Sequence, residues 1–276
     1  MPSSAPSSTG GILAYDGVSV NGLTVTVPTR GGVPVLVIPG TCRIIGRVRL
    51  PPLIAGHFVR RDNRFRVTVE IESEPVAAHL PNSGRLTELL IPRRACWLTE
   101  FDNPRRKTRF DLVLVGVAGA LVSVDARLPN FLFAEALAEG RLEPFRGYAG
   151  FEREVRLGGS RLDFRLSGPA GVCWVEVKSV TLVEEGVARF PDAPTARGAR
   201  HVEELTAAVR RGEEAAVCFV VQRADARCFV PHGRADAAFG VALREAADAG
   251  VGVYAWACEV NQQAVTIAGQ VPVELA

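Results

Sequence analysis

The chain places Asp163 on one short alternating run, RLDFRL (161–166), and Glu176 and Lys178 on the next, CWVEVK (173–178). Side chains two apart in a strand leave on the same face, so Glu176 and Lys178 point one way. The intervening SGPAG is a turn signal, so the two strands are expected to pair and can bring Asp163 beside them. Two carboxylates sharing a hard divalent cation, with an ammonium close by, can activate water and stabilise charge on a phosphate under attack. Phosphodiester hydrolysis needs those parts. The same alternation also describes a half-exposed hairpin whose charges pair across strands for modest stability. Spacing alone leaves both readings open.

The lysine carries extra information. Of 32 Lys and Arg residues only Lys107 and Lys178 are lysines. Where Arg serves almost everywhere, a retained Lys points to a need for a compact charge with a tunable pKa. A second group lies in TARGARHVEEL, where Thr195 is placed to cap a helix. Arg197, His201 and Glu204 then fall at i, i+4 and i+7 on one face. Arg197 can hold a phosphate there and His201 can position water or a nucleotide; the alternative is a solvated face with internal ion pairing. Further upstream, Arg60, Arg61, Arg64 and Arg66 in FVRRDNRFRV form a basic strand with Arg105, Arg106, Lys107 and Arg109 in PRRKTR as a basic loop. Phe65 and Phe101 stand nearby as stacking platforms or as core. Basic grooves with aromatic faces hold single-stranded nucleic acid in small barrels, with phosphate contacts dominating. In PNSGRL, Arg85 and turn N–H groups can meet a phosphate, or the segment is an ordinary turn.

The elements that must position these groups divide the chain in three. Residues 1–52 form an N-terminal extension, Ser/Pro-rich at first and then with short β runs, ending at Pro51-Pro52. Residues 53–124 read as a run of short strands (HFVRR, RFRVTVEIE, VAAHL, ACWLTEF, FDLVLVGV, ALVSVD) with one helical piece, RLTELL, which suits an OB-like β-barrel. From 125 to 276 the order is helix, three strands, helix, strand, helix and a last strand, an α/β domain whose mixed sheet begins antiparallel and continues through crossover helices. The 276 residues, 47% apolar, are ample for packed cores. No apolar run reaches the length of a membrane span and the N-terminus lacks a signal-peptide pattern, so a cytoplasmic protein is expected, with no membrane partner. Six scattered cysteines without a C-x-x-C pair read as buried thiols. Net charge is only +2, but residues 1–115 carry 15 cations against 9 acids and the remainder 17 against 21. A basic binding module ahead of a metal-binding one fits that division.

The expected αβββαβ order with E-x-K on its third strand resembles the PD-(D/E)xK nuclease superfamily. More closely, the chain from about Leu53 resembles the sugar fermentation stimulation protein A (SfsA) family, through HLPNSGRLTELL, SRLDF, VEVKSVTL and FPDAPTARGARHVEEL. The resemblance implies an OB-like domain followed by a PD-(D/E)xK-type domain, and sequence-nonspecific binding of DNA, with RNA as an alternative. It implies metal ligands at Asp163 and Glu176 and a catalytic lysine at Lys178, with Glu135 completing the metal set from the first helix of the core. Glu154 competes with Glu135 for that place. Mg²⁺ or Mn²⁺ is the expected ion. A regulatory role in sugar, notably maltose, metabolism follows the family's name, and the alternative is a non-catalytic DNA-binding transcriptional regulator with a residual nuclease fold. Leu162 departs from the superfamily's Pro at a position that contributes no ligand, and residues 1 to about 50 lie outside the family pattern. A homodimer is expected where a sheet edge is exposed.

Overall fold

The computed structural model describes residues 48–275. The earlier part of the expected N-terminal extension lies outside the described residues. Its end, β1 (Val48–Arg49), pairs antiparallel with the last strand of the chain.

The barrel follows. Its strands are β2 (Leu53–Asn63), β3 (Arg66–Ile71), β4 (Glu74–His79), β5 (Ala95–Glu100) and β6 (Phe110–Val117), with β7 (Ala120–Ser123) as a hairpin on β6. They hydrogen-bond in the order β4-β3-β2-β5-β6-β7, and a parallel pairing of β4 with β6 closes the first five into the OB barrel. Closure removes the edges that an open sheet of this size exposes. The long β2 serves two partners, pairing with β5 through its first half and β3 through its second. At Gly56 a Cβ would lie 2.7 Å from the carbonyl oxygen of Glu70, so the close approach of β3 there tolerates no side chain. Phe58, Val67, Val69, Leu98 and Leu112 fill the interior.

RLTELL forms only a turn, not the expected helix. Leu86 sits at φ 54°, outside helical space, and this turns it and Leu89 into the barrel core. Burial of two leucines outweighs the local helix preference.

The second domain begins with α1 (Leu128–Ala138), opened by Leu128-Pro129 where a missing N–H costs nothing. Then come β8 (Gly150–Leu157), β9 (Ser160–Gly168), β10 (Gly171–Val180), the short β11 (Val183–Glu184) and β12 (Val187–Phe190). The remainder is α2 (Ala196–Arg210), β13 (Glu214–Val221), β14 (Cys228–Pro231), α3 (Ala237–Asp248), β15 (Gly252–Val260) and β16 (Ala264–Val271). The main sheet has the order β1-β16-β15-β13-β10-β9-β8, antiparallel from β8 to β10 and parallel from β10 through β13 to β15. Helix α1 packs on one face with Phe133, Phe164, Val175 and Trp256, and α2 and α3 cover the other with Leu205, Phe219, Phe239 and Leu243. Covered on both sides, β13 buries seven of its eight residues and shows no alternation. Two features go beyond the sequence expectation: β16 after the expected last strand, and a small side sheet of β11, β12 and β14. Cys96, Cys173, Cys218 and Cys258 are buried free thiols and Cys228 is half-buried. No helix among the described residues is long and apolar enough to cross a membrane.

Candidate nuclease site

Strands β9 and β10 pair from Gly168–Gly171 up to Phe164–Val175, and there their ladder ends. The next residue on each strand is Asp163 on β9 and Glu176 on β10. Beyond the break β10 stays paired with β13 as far as Val180. The N–H of Val177 donates to Asp163 Oδ2 at 2.8 Å, so a carboxylate takes a backbone group that the separated strand leaves. Asn130 Nδ2, from the first turn of α1, donates to Asp163 Oδ1 at 2.8 Å. Burial, and then the neighbouring Glu176 charge, push the Asp163 carboxyl up to about 6, although the Val177 N–H, Lys178 and Asn130 pull the other way.

Glu176 is buried, at 4% exposed. Its Oε1 accepts from Lys178 Nζ and from His201 Nδ1, each at 2.5 Å. Burial raises the Glu176 carboxyl, but the His201 hydrogen bond and the Lys178 charge outweigh it and hold the group below its ordinary value. Its other oxygen, Oε2, is buried without a hydrogen-bond partner. One neutral tautomer satisfies His201: Nδ1–H donates to Glu176, and Nε2 accepts from Arg197 Nε at 3.3 Å. Buried at 2% with both nitrogens engaged, His201 positions Glu176 and has no free nitrogen to offer water. Helix α2 delivers it: Thr195 caps the helix by accepting from the N–H of Gly198. Glu204, on the same face, instead accepts from Gly159 N in the β8–β9 turn.

The structure does not bring Glu135 to this cluster. It lies near the backbone of Val48 and beside Glu139 and Arg141, toward the opposite edge of the sheet, where burial and then Glu139 push its carboxyl up to about 7. Five residues apart, Asn130 and Glu135 leave α1 on different faces, and it is Asn130 that reaches Asp163. Glu154 is no substitute, since it pairs with Arg161 at 3.4 Å on the exposed side of β8. Two residues the sequence reading passed over do belong here. Asn130 carries no signal beyond its place in the first helical turn. Arg153 feels the Asp163 charge and holds its guanidinium over the rings of Phe131, at 4.8 Å, and Phe164, at 5.7 Å. Stacking fixes the plane of a guanidinium while leaving its in-plane donors available.

In the barrel the expected basic set divides. Arg61 donates to the carbonyls of Gly84, Arg85 and Arg64, each at 2.7 Å, and so holds the PNSGRL loop. The Arg85 backbone N–H does meet an anion, the carboxylate of Asp192 at 2.6 Å, and that occupies the place expected for a phosphate. Arg106 pairs with the fully buried Asp111 and stacks on Phe101 at 4.1 Å. Arg109 pairs with Glu100, and Arg60 with Asp62 at 2.9 Å. The Arg64, Arg66, Arg85, Arg105 and Lys107 side chains are exposed.

An OB barrel joined to an α/β domain that carries two carboxylates and a lysine at a break in its mixed sheet defines a two-domain class of protein. The SfsA N-terminal OB domain matches residues 59–124, and the sugar fermentation stimulation protein RE domain matches residues 127–264. The chain is 48% identical over 231 residues to the sugar fermentation stimulation protein homolog of Moorella thermoacetica, covering 83% of this chain and 100% of that one. With the homolog of Desulforamulus reducens it shares 45% over 226 residues, 82% of this chain and 94% of that one. Among solved structures it is similar to Pyrococcus furiosus SfsA in complex with Ca²⁺, with a TM-score of 0.78 and 31% identity over 84% of this chain and 100% of that one. The chain belongs to the sugar fermentation stimulation protein (SfsA) family.

Proposed function

We propose that the protein binds DNA without marked sequence preference and hydrolyses phosphodiester bonds with Mg²⁺ or Mn²⁺. The observation that carries this reading is the buried, unpartnered Oε2 of Glu176 beside the raised carboxyl of Asp163. A buried acceptor without a partner is costly, and a cation is the partner it lacks. Among the described residues no group of three or more His, Cys, Asp or Glu side chains is placed to hold a metal. A pair of carboxylates nevertheless suits Mg²⁺, which keeps several waters and is commonly bound through one or two carboxylates and substrate phosphates. The Ca²⁺ of the Pyrococcus furiosus relative, another hard cation, agrees with an oxygen-ligated site.

Asp163 and Glu176 would hold the ion, which when bound supplies an acidified water and positive charge at the phosphate. Lys178 places an ammonium beside Glu176, where it can meet charge developing on the phosphate. Asn130 and His201 would orient the two carboxylates, and Arg153 would hold a phosphate beside Asp163. The sugar-metabolism role named for the family would then act through nucleic acid, in the cytoplasm.

The second reading, a non-catalytic DNA-binding regulator, is favoured by Asp163, both of whose oxygens already accept protein hydrogen bonds. Cleavage of labelled single- and double-stranded DNA and RNA with Mg²⁺ or Mn²⁺ separates the two. Metal-dependent cutting that disappears in Asp163→Asn and Lys178→Ala while binding persists establishes the nuclease. Binding without cutting on every substrate establishes the regulator.

A further inference from the structure

The turn between β2 and β3 and the loop before β6 meet at one end of the barrel around a groove of about 570 Å³. Phe65 lines it and is 46% exposed, one of three large apolar side chains exposed among the described residues. An isolated exposed phenylalanine needs no explanation. This one is held in place. Its N–H donates to Asn63 Oδ1 at 3.0 Å and its carbonyl accepts from Leu80 N at 2.9 Å, so a pinned backbone presents the ring. His79 forms the facing wall, its ring 6.5 Å from that of Phe65 and tilted by 37°, a flared pair rather than a closed stack. Nδ1 of His79 lies 3.3 Å from the buried Asp111, which also anchors Arg106 and Arg127. Both walls are therefore built on fixed groups. Around them stand cations: Arg64 over the Phe65 ring at 5.4 Å, Arg66, exposed with its Nε 3.8 Å from Asp62 Oδ2, and Lys107, which makes no ion pair with a described residue.

We propose that this groove is a subsite for one unpaired nucleobase of a single strand, the base lying against Phe65 and its flanking phosphates on Arg66 and Lys107. The inference rests on the nucleic-acid reading above and names the form of substrate that reading leaves open. A planar apolar face between positive charges matches a base between phosphates. Paired bases in a duplex keep their faces stacked inside the helix and offer only edges and phosphates. Only an unstacked base presents a face to Phe65, and such stacking tolerates every base. The groove therefore selects single strands over duplexes without reading sequence.

The test uses the full chain and fluorescence anisotropy in EDTA, with labelled single-stranded DNA and RNA, abasic strands of equal phosphate count, and duplex DNA. Phe65→Ala, at an exposed position, is expected to weaken binding of base-bearing single strands roughly tenfold or more while leaving abasic and duplex binding unchanged. Phe65→Trp restores or strengthens it. Lys107→Gln weakens binding to all ligands and lowers the salt dependence by about one phosphate contact. The DNA and RNA arms show which sugar the subsite accepts, and selective loss on either supports the proposal. Unchanged single-strand binding by Phe65→Ala, or an equal loss on abasic strands, overturns the subsite but leaves nucleic-acid binding standing. Failure of the wild type to bind any of these ligands overturns both.

Discussion

At the scale of single residues, the site turns on which oxygen of Glu176 is free. His201 and Lys178 converge on Oε1, keeping Glu176 ionised despite its burial and leaving Oε2 for an outside partner. Groups that orient a ligating carboxylate typically govern metal affinity by 10- to 100-fold. His201→Ala is accordingly expected to weaken Mn²⁺ binding by about that factor, measured by calorimetric titration; unchanged affinity would remove His201 from the positioning role. Glu135 shows the contrasting case of a shifted carboxyl away from the Asp163–Glu176 pair. Its folded-state value of about 7 lies above the 4.5 of an unfolded chain, so between those values the native state holds a proton that the unfolded chain has released. The stability this contributes is fully present below about pH 4.5 and is lost as pH rises through about 7. Glu135→Gln removes that loss. Urea denaturation from pH 4.5 to 8 should show the variant gaining on wild type by about 1–3 kcal/mol, allowing for the partial exposure of the group. Parallel pH profiles would contradict it.

At the scale of elements, what could be read in advance was what a period or a turn determines. The two-residue repeat of CWVEVK puts Glu176 and Lys178 on one face, and SGPAG joins β9 to β10. Thr195 caps α2 because a hydroxyl before a helical run has few other uses. Partnership across the fold was not legible. Nothing local announces that the β9–β10 ladder ends at Phe164–Val175, that Asn130 rather than Glu135 faces Asp163, or that Arg153 stacks on Phe131. β16 has no clear signature because its alternation dissolves into AGQV over its second half. The basic strand β2 illustrates the same limit. Arg60 and Arg61 are adjacent and identical in type, but Arg60 is solvent-exposed while Arg61 binds the carbonyls of a loop. Arg61→Ala should therefore cost about 2 kcal/mol of stability, within the range for hydrogen bonds to charged groups. Arg60→Ala should stay within about 0.5 kcal/mol. Equal thermal shifts for the two variants would show that the loop does not depend on Arg61.

At the scale of the whole molecule, the two domains share a buried polar joint close to the proposed chemistry. Gln222, at the end of β13, is fully buried. Its Oε1 accepts from Ser123 Oγ of the barrel at 2.9 Å, and its Nε2 donates to Asp125 O at 3.1 Å and to Ser179 Oγ at 2.9 Å. Ser179 follows Lys178 directly. The Ser123 N–H also donates to Gln222 O at 3.0 Å, so the last barrel strand is stitched to the strand beside β10. Asp192 on the α/β side adds the hydrogen bond to Arg85 N across the same junction. A nucleic-acid strand held by the barrel, as proposed above, would thereby be kept in one orientation relative to Asp163 and Glu176. Positioning of this kind is worth large factors in rate, because a displacement of about 1 Å at the reacting atoms can cost about 100-fold. Gln222→Leu keeps the bulk but leaves Ser123 Oγ and Asp125 O without that partner, at a cost of about 2–4 kcal/mol. The residues of the proposed base groove are not among those that lose a partner, so single-strand affinity is expected to stay within about twofold. Cleavage should instead fall about tenfold or more, as the scissile phosphate and the carboxylates lose their common frame. Anisotropy and single-turnover cleavage on one labelled strand measure both. If the two fall together, the joint serves folding alone; if neither changes, the barrel and the α/β domain work without a fixed geometry between them.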